Sequence, residues 1–202
     1  MRPRSPTPCS ESAKVHKELK VGDLSHDTRI TLAHPAQEVD WESCTNLLTD
    51  YGLTLPTEAQ WEYACRAGTT GAWSVDPEHF VEFANVADAA GKRAGMRWQF
   101  EPWDDGYVTT APVGSFRANP FGLFDIHGNV WEWCQDPYGH YFAPVGHGDG
   151  RRAYGNGSED RVLRGGGFMD PARSATSYHR RHHVPTFRLE SVGLRAARQL
   201  AR

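Results

Sequence analysis

Between Gly68 and about Asp160 the chain shows no helical or alternating apolar run longer than five or six residues, while Gly, Pro, Asp and Asn recur every few positions. A structureless stretch this long counts against a compact domain unless the loops bury something of their own. Five of the seven Trp (Trp73, Trp98, Trp103, Trp131 and Trp133) lie inside it, so the loops are expected to carry buried aromatic anchors. Together with 20 Gly, this points to tight turns and bulky anchors rather than a helical bundle. A hydrophobic fraction of 39% over 202 residues suffices for one core, hence one domain with or without an irregular arm.

Regular elements are expected mainly at the two ends. In DWESCTNLLTDYG, the residues Trp41, Cys44, Leu47, Leu48 and Tyr51 repeat at helical spacing, with Asp40 as N-cap and Gly52 as stop. After Leu53-Thr54-Leu55-Pro56, the pair Thr57 and Gln60 forms a T-x-x-Q capping box, and Trp61, Ala64 and Cys65 make the buried stripe of a second helix ending at Gly68. Strands are expected at Arg161–Arg164 and Val192–Arg195. Residues 1–35 are polar and aperiodic, with one short strand possible at Arg29-Ile30-Thr31-Leu32. They read as a poorly structured arm ahead of a domain over 36–202. No internal repeat is visible, and the class is α+β.

The four cysteines (Cys9, Cys44, Cys65 and Cys134) show no C-x-x-C spacing. Cys44, Cys65 and Cys134 sit among apolar and aromatic neighbours and read as reduced core residues, with a disulfide left open. A formal net charge of −3 gives no electrostatic reason to expect nucleic acid or an anionic membrane. No apolar run approaches the length of a membrane span, and the first twenty residues lack the apolar middle of a secretory signal. The expected location is cytoplasmic, which sets aside the glycosylation sequon Asn156-Gly157-Ser158.

Four stretches carry a family likeness: LPTEAQWEYACRAG (55–68), TAPVGSFRANPFGLFDIHGNVWEWCQD (110–136), RVLRGGGF (161–168) and VGLRAAR (192–198). In this order and spacing they resemble the formylglycine-generating enzyme, or sulfatase-modifying factor, domain, over about residues 36–198. The resemblance implies a C-type-lectin-like fold with little regular secondary structure. Family members usually carry a longer segment ahead of the first helix, so the front of this chain reads as truncated, divergent or completed by a partner.

The resemblance also implies calcium, a cation that takes hard oxygen ligands from carboxylates and carbonyls. One site would use Asp125 and Glu132 side chains with Gly128 and Val130 carbonyls. The other would use Asn85 and Asp105 side chains with Val86 and Tyr107 carbonyls. Read on their own, Asp125 caps a turn, Glu132 is solvated and Asp105-Gly106 is an ordinary turn.

The enzymes of that family bind copper(I) through two cysteine thiolates, soft ligands for a soft ion. Here Asp170 stands where the first belongs and Thr176 approximately where the second does, Gly167 replaces a serine, and no cysteine follows Cys134. Copper is therefore not expected. His179, His182 and His183, near Tyr178 and with Asp170 and His127 elsewhere in the pocket-forming blocks, offer an alternative iron or zinc site, or else an exposed polar surface. Arg164, Arg173, Arg181, Arg188 and Arg195 either buttress loops or line a groove for an anionic or peptide ligand.

Three readings follow. The first is a non-catalytic, calcium-stabilised module that binds a peptide or protein. The second is a non-heme-iron oxidoreductase using the histidines, with a genuine formylglycine-generating oxidase behind it. The third is a truncated relative with no activity of its own.

Overall fold

In the computed structural model, residues 31–146, 148, 150–152 and 159–198 are described. The expectations for residues 1–30, for Arg29-Ile30, for Cys9 and for the sequon at 156–158 lie outside them. Thr31 and Leu32 themselves sit at a turn, not in a strand.

Both expected helices form, and both start by the devices their sequences encode. Asp40 accepts from the Ser43 N–H at 2.7 Å and starts α1, Trp41–Asp50. Cys44 and Leu48 are its buried face, whereas Leu47 and Tyr51, which share the apolar periodicity, are exposed. The reciprocal Thr57–Gln60 capping box starts α2, Glu58–Arg66, and Ala67 in the left-handed conformation ends it ahead of Gly68. Trp61 and Cys65 are buried together with Glu58, and Ala64 is only partly covered.

The segment expected to be loop holds more than turns. It contains a 3₁₀ turn Pro77–Glu82, the two-residue strand β1 (Ala84–Asn85), a short helix α3 (Ala89–Arg93), β2 (His127–Gly128) and β3 (Trp131–Pro137). Beyond it lie β4 (Arg161–Arg164), a 3₁₀ turn Ala172–Ala175, β5 (Arg181–His183) and β6 (Val192–Gly193). The last strand is thus shorter than the expected Val192–Arg195. A four-stranded sheet runs β5-β4-β3-β6, antiparallel except for the parallel β3/β6 pair. A second, two-stranded piece pairs β1 and β2 in parallel, with Ala84 opposite His127 and Asn85 opposite Gly128.

The core follows the aromatic anchors. Trp131 and Trp133 of β3 pack with Cys44, Leu48, Leu55, Leu163 and Val192. Trp61 and Cys65 of α2 pack with Ile126, Cys134 and Val162. Trp73 and Trp103 flank Phe80 over Val86 and Ala175, with Trp98 edge-on to Phe168. Cys44, Cys65 and Cys134 are buried and free, as the sequence reading held. Among the described residues no helix is long and apolar enough to cross a membrane.

Candidate functional site

The β1/β2 pairing fixes where the candidate ligands meet. It requires Gly128, at φ 78°, because a Cβ there would lie 2.1 Å from the Asn85 carbonyl oxygen. Asn129, next in sequence and also at positive φ, donates its N–H to that same carbonyl at 2.8 Å. Its side-chain oxygen accepts from the Ala111 N–H and from the Asn85 amide, so the 109–111 loop is pinned to β1.

Asn85, Val86, Asp105 and Tyr107 are brought together by this framework. The Asp105 carboxylate accepts from the Val86 N–H at 3.0 Å and from the Tyr107 N–H at 2.8 Å. Asn85 gives its amide N–H to the Thr109 carbonyl, and its side-chain oxygen is buried with no donor. Neither the Val86 nor the Tyr107 carbonyl accepts a hydrogen bond among the described residues. Burial pushes Asp105 up to about 7, aided by the neighbouring acids Asp88 and Asp104. Asp104 is paired with Arg93 at 2.6 Å, while Asp88 accepts the N–H groups of Asp105 and Ala90 and is itself raised by burial. A buried side-chain oxygen without a donor and two carbonyls without a donor thus lie in the same part of the chain as a carboxylate raised by burial, and hard oxygens of this kind are what calcium takes.

Asp125, Gly128, Val130 and Glu132 occupy neighbouring backbone, but the charge balance differs. Arg195 clamps both oxygens of Glu132, its Nη2 at 2.7 Å, and the Trp61 indole N–H adds a further bond at 2.7 Å. Both oxygens of that carboxylate are engaged, by three N–H donors. It is buried and paired, which corrects its local reading as a solvated acid. Asp125 accepts from the Gly114 N–H at 2.7 Å through one oxygen, and its other oxygen is buried without a donor. Burial raises its pKa, and Arg195 only partly offsets this. The structure thus leaves an orphaned oxygen in each group, but supplies the second with a cation of its own.

At the copper positions the donors are oxygen and they are in use. Asp170 accepts the Trp131 indole N–H at 2.7 Å, and the buried Thr176 donates its hydroxyl to the Arg173 carbonyl at 3.3 Å. No described cysteine offers a thiolate in their place. Burial pushes Cys44 and Cys65 to about 12 and Cys134 well above the usual thiol range. The donor set does not fit copper(I).

The three histidines do not converge. His179 lies against Trp131 with ring centroids 5.8 Å apart, His182 bonds Asp160 at 2.6 Å and stacks on Tyr138, and His183 stacks on Phe187. The last two are neighbours on β5, and strand geometry sends consecutive side chains to opposite faces. Among the described residues no group of three or more His, Cys, Asp or Glu could hold a metal ion. This separates the residues that the sequence reading had grouped as an iron or zinc site. The arginines mostly buttress: Arg164, fully buried, ties Glu58 and Glu62 to the carbonyls of Ser177 and His179, Arg188 meets the helix cap Asp40, and Arg173 meets Gln99. Arg181 lies over Trp131.

Sequence reasoning missed the role of His127 as a buried post. Its Nδ1 is 2.8 Å from the Ala175 carbonyl and must carry the proton, which leaves Nε2 to accept the Ser74 N–H at 3.2 Å and hydroxyl at 2.8 Å. Burial lowers its pKa to about 4, so the ring is neutral. No local pattern marks this, because the partners Ser74 and Ala175 lie in two segments far from His127 in sequence.

The sulfatase-modifying factor enzyme 1-like domain model matches residues 10–200. The chain is 35% identical over 152 residues to the formylglycine-generating enzyme of Streptomyces coelicolor, covering 67% of this chain and 42% of that protein. It is 27% identical over 180 residues to the inactive C-alpha-formylglycine-generating enzyme 2 of Mus musculus, covering 86% and 52%. The solved structure of PvdO from Pseudomonas aeruginosa is 30% identical, with a TM-score of 0.72 over 85% of this chain and 64% of that one. The chain spans about half or less of the length of these curated relatives. The small mixed sheet, the Trp-anchored loops and these likenesses agree: the chain belongs to the sulfatase-modifying factor enzyme 1-like family and has its C-type-lectin-like α+β fold.

Proposed function

We propose that this chain is a non-catalytic member of its family, a calcium-stabilised module that binds a peptide or protein ligand. The observation that carries the reading is the oxygen pair at the copper positions: Asp170 is engaged with Trp131 and Thr176 with a carbonyl, while every described cysteine is buried and protonated. Oxidation of a substrate cysteine by the thiolate-copper route then lacks its metal ligands. The mouse relative named as inactive supports the idea that the scaffold is kept where that chemistry is not.

Calcium is proposed first at the Asn85 group. The orphaned Asn85 oxygen, the Asp105 carboxylate and the free Val86 and Tyr107 carbonyls would hold it, and its charge would answer the buried acids. The Asp125 group is the weaker proposal, because Arg195 already compensates Glu132. The dispersed histidines give no support to an iron centre.

The test is incubation of the pure protein with copper(I), O₂ and a peptide carrying a sulfatase cysteine. No aldehyde is expected. Aldehyde formation above a no-protein control would overturn the reading.

A further inference from the structure

At the C-terminal end of β3, away from Glu132, a cavity of about 270 Å³ is lined by Trp41, Gln135, Asp136, Arg151, Arg152 and Arg161. Three of these side chains are cationic and one is anionic. Asp136 is already committed, accepting the Glu58 N–H at 2.7 Å and the Arg152 N–H at 3.1 Å. Arg152 leans on the Tyr141 ring, donates to the carbonyls of Tyr141 and Ala143, and lies 4.0 Å from Glu58. Glu58 is in turn shared with Arg164 and Arg180. The acids of this region are therefore oversubscribed.

Arg161 is the side chain left over. Its guanidinium lies 4.3 Å from the centroid of the Trp41 ring, and its buried Nε has no acceptor. It makes no hydrogen bond or ion pair among the described residues. Trp41 gives its indole N–H to the Cys134 carbonyl, and Gln135 gives its amide to the Leu55 carbonyl. Neither acts as an acceptor for Arg161. Buried guanidinium N–H groups without partners are rare, and a two-oxygen edge is the group that satisfies such a fork.

The geometry points to an oxyanion-binding site in this cavity, in which a carboxylate or phosphate group sits against Arg161 beside Arg151 and Arg152, with Trp41 as the wall behind the guanidinium. Its size is below the roughly 300 Å³ at which pockets for drug-sized molecules begin, so it suits one anionic group rather than a whole nucleotide. The site is distinct from the calcium group and stands or falls separately from it.

The experiment measures the melting midpoint in millimolar sodium phosphate or, separately, sodium acetate, each against chloride at matched ionic strength. Calcium is left out so that phosphate stays in solution. The wild-type midpoint is expected to rise saturably by roughly 3 °C with at least one anion, and the anion that acts identifies the group bound. Arg161→Gln, which keeps a planar neutral side chain over Trp41, should lose the response. No response to either anion, or an undiminished one in Arg161→Gln, overturns the site. If that variant does not melt cooperatively, the wild-type Arg161 Nε–Hε resonance decides: it must shift saturably with the anion, and a static resonance overturns the proposal.

Discussion

At Asp105, burial and charge pull against each other. An acid whose native pKa is raised from 3.8 to about 7 holds a proton that the unfolded chain has released between those values. Its contribution to metal-free stability therefore falls as pH rises from about 4 to about 7. Calcium needs the ionised form, so the gain in melting midpoint from calcium should grow across that window, and Asp105→Asn should abolish it. Melts with calcium and with chelator from pH 5 to 8 check this, and a gain that ignores pH contradicts it. His127 works in the opposite sense. With its pKa lowered from 6.5 to about 4, it favours folding more as pH rises from about 4 to 6.5. His127→Gln should lower the midpoint at neutral pH and flatten the acid side of the stability curve, and an unchanged acid slope would remove His127 as its cause.

Among the elements, the two helices were legible because their caps are local signals. Thr57→Ala should cost about 1 kcal/mol, a fall of roughly 2–4 °C in the melting midpoint of a domain this size. An unchanged midpoint would mean that packing of Trp61 and Cys65 alone sets the helix start. The central strand β3 was not legible. Buried on both faces, Trp131-Glu132-Trp133-Cys134 shows no alternation, and the strand's acids are engaged by residues far away, Arg195 and Trp61 for Glu132 and the Glu58 and Arg152 N–H groups for Asp136. Leu47 and Tyr51 fit the helical period of α1 yet face outward, because the period marks more positions than the core covers. The pairing of β1 with β2 rests on Gly128, so Gly128→Ala should prevent cooperative melting or remove the calcium response. A variant that melts and responds like wild type would show that β2 can move away from the Asn85 carbonyl at no cost.

For the whole molecule, the family block 110–136 that announces the fold also spans the Asp125 group, which is why that group was readable, whereas Asn85, Val86, Asp105 and Tyr107 lie between the blocks. The charge balance of the two groups was not readable. Nothing local to Glu132 says that Arg195, sixty-three residues on, pairs with it, and nothing local to Asn85 says that its side-chain oxygen is left without a donor. The histidine grouping failed for the same reason in reverse, since closeness in sequence placed neighbours on opposite faces of β5. The central claim is that this domain binds metal through hard oxygens and lacks the soft thiolate pair that would hold copper(I). It is tested most directly by metal analysis of the protein after dialysis against calcium, iron(II) and copper(I) together under reducing, anaerobic conditions. Stoichiometric calcium with neither transition metal is the expected result, and retention of copper or iron in place of calcium would contradict it.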